Sequence, residues 1–80
     1  MNLKPIATEK AIMKVETENI LTFLVDEKTT KQEIKKEIED LFKVRVEKVR
    51  TQVRGNKKIA YVKLNKKDLA IDIATKLGLM

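Results

Sequence analysis

The sequence predicts a small α+β protein, a single domain over residues 1–80, with a mixed or antiparallel sheet of three to four strands and helices packed against it. Three observations carry that prediction. Apolar residues recur at helical spacing in two stretches, Ile34-Ile38-Leu41-Phe42 and Leu69-Ala70-Ile73-Ala74-Leu77. They alternate with polar residues on either side of Gly55-Asn56, the pattern of a tight hairpin. Between Ile20 and Val25 both alternating sets are apolar, as in a central strand covered on both sides.

The elements follow in order. Pro5-Ile6-Ala7-Thr8-Glu9-Lys10 opens a first helical stretch, with Thr8 as its cap and Ile12 and Val15 as a small apolar face. The Ile20–Val25 strand comes next. Thr30-Lys31-Gln32-Glu33 has the form of a capping box, Glu33 being placed to reach back to the cap. In the helix it starts, Glu33–Lys36 and Lys35–Glu39 are surface neighbours, and that charged face is simply solvated. Val44–Arg54 and Lys57–Leu64 read as the hairpin strands, with Val49, Thr51 and Val53 opposite in phase to Arg50, Gln52 and Arg54. The inward phase shifts between Val46 and Val49, which predicts a bulge or a late start. Asn65 is expected to cap the last helix with Asp68 as its acid partner, and Gly78 to stop it. The resulting order, helix-strand-helix-strand-strand-helix, is related to ferredoxin-like folds.

Composition excludes several kinds of chemistry. With no cysteine there is no disulfide framework or thiolate metal site, and with no histidine the commonest general base at neutral pH is missing. No Walker loop or nucleophile elbow is present, and the chain holds only two glycines. Small enzymes such as acylphosphatases need a phosphate-cradling loop with an arginine, and no stretch here matches it. No catalysis, cofactor, metal or small-molecule substrate is expected. Apolar runs stop at a few residues, as in Ile59-Ala60-Tyr61-Val62, and Met1-Asn2-Leu3-Lys4-Pro5 lacks the apolar core of a secretory signal. An intracellular protein without membrane insertion is expected.

The charge is more informative. The net +6 hides a segment, Lys43 to Lys67, with ten basic residues and one acid, Glu47, while residues 1–42 carry seven basic and nine acidic side chains. Such concentration is the footprint of a polyanionic partner. Arg50, Arg54, Lys57, Lys58 and Lys63 are the first candidates for phosphate contacts, with Lys10, Lys66 and Lys67 behind them. Gln52 and the arginines can make forked contacts to base edges or 2′-hydroxyls. Tyr61, one of only three aromatic residues, can stack on a base or pack within the fold. Charge alone does not separate RNA from DNA.

The residues also match a known family. Pro5-Ile6-Ala7-Thr8-Glu9-Lys10-Ala11, Thr30-Lys31-Gln32-Glu33-Ile34-Lys35, Leu41-Phe42-Lys43-Val44, Val49-Arg50-Thr51, Lys57-Lys58-Ile59-Ala60-Tyr61-Val62-Lys63-Leu64 and Ala74-Thr75-Lys76-Leu77-Gly78 stand in order over nearly the whole chain. Together they resemble ribosomal large-subunit protein twenty-three in its archaeal and eukaryotic branch. The resemblance implies an antiparallel sheet with helices on both faces, and a structural protein bound to large-subunit rRNA at the exit of the nascent-chain tunnel. It also implies a docking platform, among neighbouring ribosomal proteins, for factors such as the signal recognition particle and the protein-conducting channel. In bacterial members a chaperone docks through a glutamate that Glu9 matches; the plainer role for Glu9 is an acid placed favourably at a helix N-terminus. Bacterial members also carry a long hairpin loop into the tunnel, whereas here only Gly55-Asn56 joins the strands, so the resemblance implies the archaeal type and no tunnel lining. The alternative is a free-standing, sequence-tolerant nucleic-acid binder of chromatin type.

Overall fold

In the computed structural model, residues 3–79 are described, and they form β1 (Lys4–Pro5), α1 (Glu9–Glu18), β2 (Ile20–Val25), α2 (Lys31–Phe42), β3 (Val46–Arg54), β4 (Lys57–Leu64) and α3 (Ala70–Lys76). The signal-segment reading of the N-terminus rests partly on Met1 and Asn2, which lie outside the described residues. The sheet is antiparallel throughout, in the order β1-β2-β4-β3. This is the expected α+β class, with one more element than the expected order. The segment at Pro5 does not open a helix. Lys4 and Pro5 pair with Leu24 and Phe23, and the Ile6 N–H donates to the Thr22 carbonyl, so the chain enters as a sheet edge before Thr8 turns it. Proline suits that place, because an edge strand does not need every N–H.

One set of alternating strand residues makes the core. Leu21, Phe23 and Val25 of β2 and Ala60, Val62 and Leu64 of β4 are buried together with Ile34 and Ile38 of α2, and Ala70, Ile73 and Ala74 of α3. The helices divide unequally over the sheet. α2 packs on β3 and β4, and α3 on β2. α1 lies beside β2, sends Val15 into this core and leans Lys14 over the opposite face. Leu41 and Leu69, expected to be buried, are instead 60% and 52% exposed, and Leu69 stands one residue before α3 begins.

Local capping explains where most elements begin and end. Thr8 Oγ1 accepts from Ala11 N at 3.2 Å, and Thr30 Oγ1 accepts from Glu33 N at 3.2 Å. The Thr30 hydroxyl lies 3.3 Å from Glu33 Oε1, so the box closes between side chains. Gly78, at φ 76°, ends α3 in a Schellman turn, with Gly78 N donating to Thr75 O and Leu79 N to Ala74 O. In the hairpin only Gly55 has positive φ (63°), the pattern of a type II′ turn; Asn56 does not need it.

The start of α3 departs from expectation. Asn65 does not cap it; its Oδ1 accepts from Lys67 N in the preceding turn, and Leu69 stands at the cap position with no side-chain bond. Asn19 caps it from the other end of the chain. Left-handed at φ 59° after α1, Asn19 accepts from Ala70 N at 2.6 Å and donates Nδ2 to the carbonyls of Leu64, Asn65 and Asp68. Asp68 serves β3, accepting from Arg45 N at 2.8 Å, while Glu39 accepts from Val46 N at 3.1 Å. With those N–H groups held by carboxylates, β3 starts late, and a register shift follows between Val46 and Lys48 as expected.

Candidate nucleic-acid interface

The second set of alternating strand residues forms a different surface. The register lines up Lys48 of β3 with Lys63 of β4 and Ile20 of β2; Arg50 with Tyr61 and Thr22; Gln52 with Ile59 and Leu24; and Arg54 with Lys57. The period of two that sends Ala60, Val62 and Leu64 into the core thus sends Lys57, Ile59, Tyr61 and Lys63 the other way. Lys48, Arg50, Arg54, Lys57 and Lys63 stand in this register without a carboxylate between them.

Side chains on this face are tied to each other. The Tyr61 hydroxyl donates to Gln52 Oε1 at 3.3 Å, and Arg54 Nη2 lies 3.5 Å from the same oxygen. From α1, Lys14 Nζ stands 5.1 Å from the Tyr61 ring centroid, in cation–π range, and 4.0 Å from Glu18 Oε2. That Lys14–Glu18 contact is the sole ion pair among the described residues. The expected Glu33–Lys36 and Lys35–Glu39 neighbours do not close into pairs, and Arg50, Arg54, Lys57 and Lys63 have no carboxylate within ion-pair distance among the described residues. Between α1 and this face runs an open cleft of about 650 Å³, floored by Ile20, Thr22, Ile59 and Tyr61 and rimmed by Lys10, Lys14, Arg50 and Arg54, with Glu18 as its one acid.

The structure brings most of the sequence candidates together. Arg50, Arg54, Lys57, Tyr61 and Lys63 share the strand face, and Lys10 joins them across the cleft. Lys66 and Lys67 are exposed in the turn that continues from the Lys63 end of β4. Glu9 is the first residue of α1, exposed, next to Lys10. Lys58 is set apart. It shares the phase of Ala60 and Val62, is half-buried, and donates Nζ to the Thr29 carbonyl at 2.6 Å. Sequence reasoning misses Lys48, which the register shift brings opposite Lys63, and Lys14. The position of Lys14 over Tyr61 depends on how α1 lies against the sheet, which no local pattern encodes.

Among the described residues no three His, Cys, Asp or Glu side chains converge as metal ligands, and no helix is long and apolar enough to cross a membrane.

Comparison with known proteins decides the family. Residues 1–71 match the family model described as ribosomal protein L23. The chain belongs to the ribosomal protein L23 family. It is 49% identical over 78 residues to the large ribosomal subunit protein uL23 of Methanothermobacter thermautotrophicus, an alignment covering 95% of this chain and 90% of the relative. To the protein of the same name from Pyrobaculum aerophilum it is 48% identical over 77 residues, covering 94% of each. The resemblance drawn from the motifs is therefore correct, and both relatives are archaeal, as the short hairpin suggests. As an L23-family member the chain is a ribosomal protein of the large subunit, not an enzyme, and its place is the ribosome in the cytoplasm.

Proposed function

We propose that this chain binds large-subunit rRNA through the open face of its sheet, near the exit of the nascent-chain tunnel. The observation that carries the reading is the run of Lys48, Arg50, Arg54, Lys57 and Lys63 in one strand register, with the acids Glu18 and Glu47 only at its margins, opposite a face given over to the core. Cations spread in this way match phosphates spaced along a backbone, and the Gln52–Tyr61–Arg54 cluster adds groups able to meet bases and 2′-hydroxyls. Lys10, Lys66 and Lys67 extend the contact at its margins. The two-residue turn at Gly55-Asn56 keeps the hairpin compact, which fits a protein at the rim of the tunnel better than one lining it. The exposed start of α1, with Glu9 in its first turn, is the part of this chain offered to docking factors such as the signal recognition particle or the protein-conducting channel.

A titration tests the RNA reading. A large-subunit rRNA fragment and a DNA duplex of matched length are titrated with the protein across a salt series. A preference for the rRNA that persists at moderate salt is the expected result. Equal affinities that fall together as salt rises would leave only counterion release and move the chromatin-type alternative ahead.

A further inference from the structure

The cleft beside α1 contains a group that the phosphate-binding reading does not use. Thr22 is 7% exposed, and its Oγ1 is fully buried without a hydrogen-bond partner, alone in this among the buried side-chain polar atoms of the described residues. A buried hydroxyl left unpaired is costly, and native structures rarely keep one without a reason. Thr22 lies on the cleft floor, directly across the strand pairing from Tyr61. Cross-strand neighbours have Cβ atoms about 5 Å apart, so the hydroxyl lies beside the ring.

The ring itself is held by an interaction that can be exchanged. Lys14 sits over it at 5.1 Å with Glu18 at the 4.0 Å limit of an ion pair, and neither of these side chains is deeply buried. A phosphate brought to the cleft would compete for the Lys14 ammonium and so free the ring face. The cleft volume, about 650 Å³, lies within the roughly 300–1,000 Å³ of sites that enclose small organic groups. Its floor is apolar at Ile20 and Ile59, and its rim carries Lys10, Arg50 and Arg54 against the single acid Glu18. That combination, a π-face with an unpaired polar group beside it and cations around it, suits one nucleotide out of its stack better than the outside of a helix.

We propose that the cleft between α1 and the open face of the sheet receives a single unstacked nucleotide of the bound RNA. Its base lies on Tyr61, a polar edge of the base pairs with the Thr22 hydroxyl, and the flanking phosphates fall to Lys14, Arg50 and Arg54. This rests on the rRNA-binding reading above and sharpens it from backbone contact to recognition of one extruded position. An acidic peptide segment is the competing occupant, disfavoured because it has no flat ring to stack on Tyr61.

The test uses the full chain and large-subunit rRNA transcribed with 4-thiouridine. Ultraviolet crosslinking should join unpaired uridines to Tyr61, Thr22 or Ile59. Tyr61→Leu should lower rRNA affinity about tenfold with an unchanged salt slope, because stacking rather than charge is removed. Thr22→Val keeps the side-chain shape, leaves the fold intact and should lower affinity about fivefold. If both variants bind like the parent while Arg50→Ala binds more weakly, the nucleotide pocket is overturned and the rRNA-binding reading stands. No rRNA binding by the parent protein would overturn both. Capture of a deca-glutamate peptide in the cleft, competing with the RNA, would give the site to a protein partner and also overturn the pocket.

Discussion

On one face of the sheet Leu21, Phe23, Ala60 and Val62 are at most 2% exposed; on the other, the intervening Ile20, Leu24, Ile59 and Tyr61 are all half-buried. The same strands make both surfaces. On the closed face α2 and α3 exclude water, and burial supplies the stability of an 80-residue chain that has little to spare. On the open face α1 covers only part of the strands, and the uncovered part carries cations. A period of two therefore lets one hairpin hold the core with Val62 and present Tyr61 and Lys63 on the proposed RNA face, and the two surfaces can be disturbed separately.

Breaking the closed face should have the largest effect. Phe23→Ala should destabilise the protein by about 3–5 kcal/mol in urea unfolding, because burial is forfeited and a cavity is left behind. Asn19→Ala comes next. It removes the cap of α3 and three donated hydrogen bonds at once, for a decrease of about 2–4 kcal/mol in the same measurement. Asn19→Gly, which accepts the left-handed backbone, separates the side-chain part of that decrease from the conformational part. On the open face, Arg50→Ala with Arg54→Ala should leave stability within about 0.5 kcal/mol. The same pair should weaken rRNA binding and lower its salt slope by about 2, the loss expected if each arginine neutralises one phosphate as proposed. The smallest change in binding belongs to Lys58→Ala. Its ammonium is engaged with the Thr29 carbonyl on the closed side, so affinity should stay within about twofold while stability drops by about 1 kcal/mol.

What can be read from the sequence follows the reach of each interaction. Thr8, Thr30, Gly55 and Gly78 act within a few residues of themselves, and each is legible. The two-residue β1 is too short to show any period, and its proline suggests the opening of a helix instead. The capping of Ala70 by Asn19 spans 51 residues, so Asn65, the nearest capping type, is the natural but incorrect choice. Within the site, alternation identifies Arg50, Arg54 and Tyr61 directly. Alternation also sets Lys58 in phase with Ala60 and Val62, so its separation from the other cations is readable from the strand itself. Lys14 is not readable, because only the placement of α1 brings it to Tyr61.

The central claim is that position, rather than net charge, makes the open face the RNA surface. Two variants with the same change in charge test it most directly: Arg50→Glu with Arg54→Glu on the open face, and Lys35→Glu with Lys36→Glu on the solvated side of α2. Binding of both to the large-subunit rRNA fragment at moderate salt is the measurement. The first pair should lose at least about tenfold more affinity than the second, since only its cations meet phosphate. Equal losses from the two pairs would contradict the account and reduce the interaction to the charge of the whole molecule.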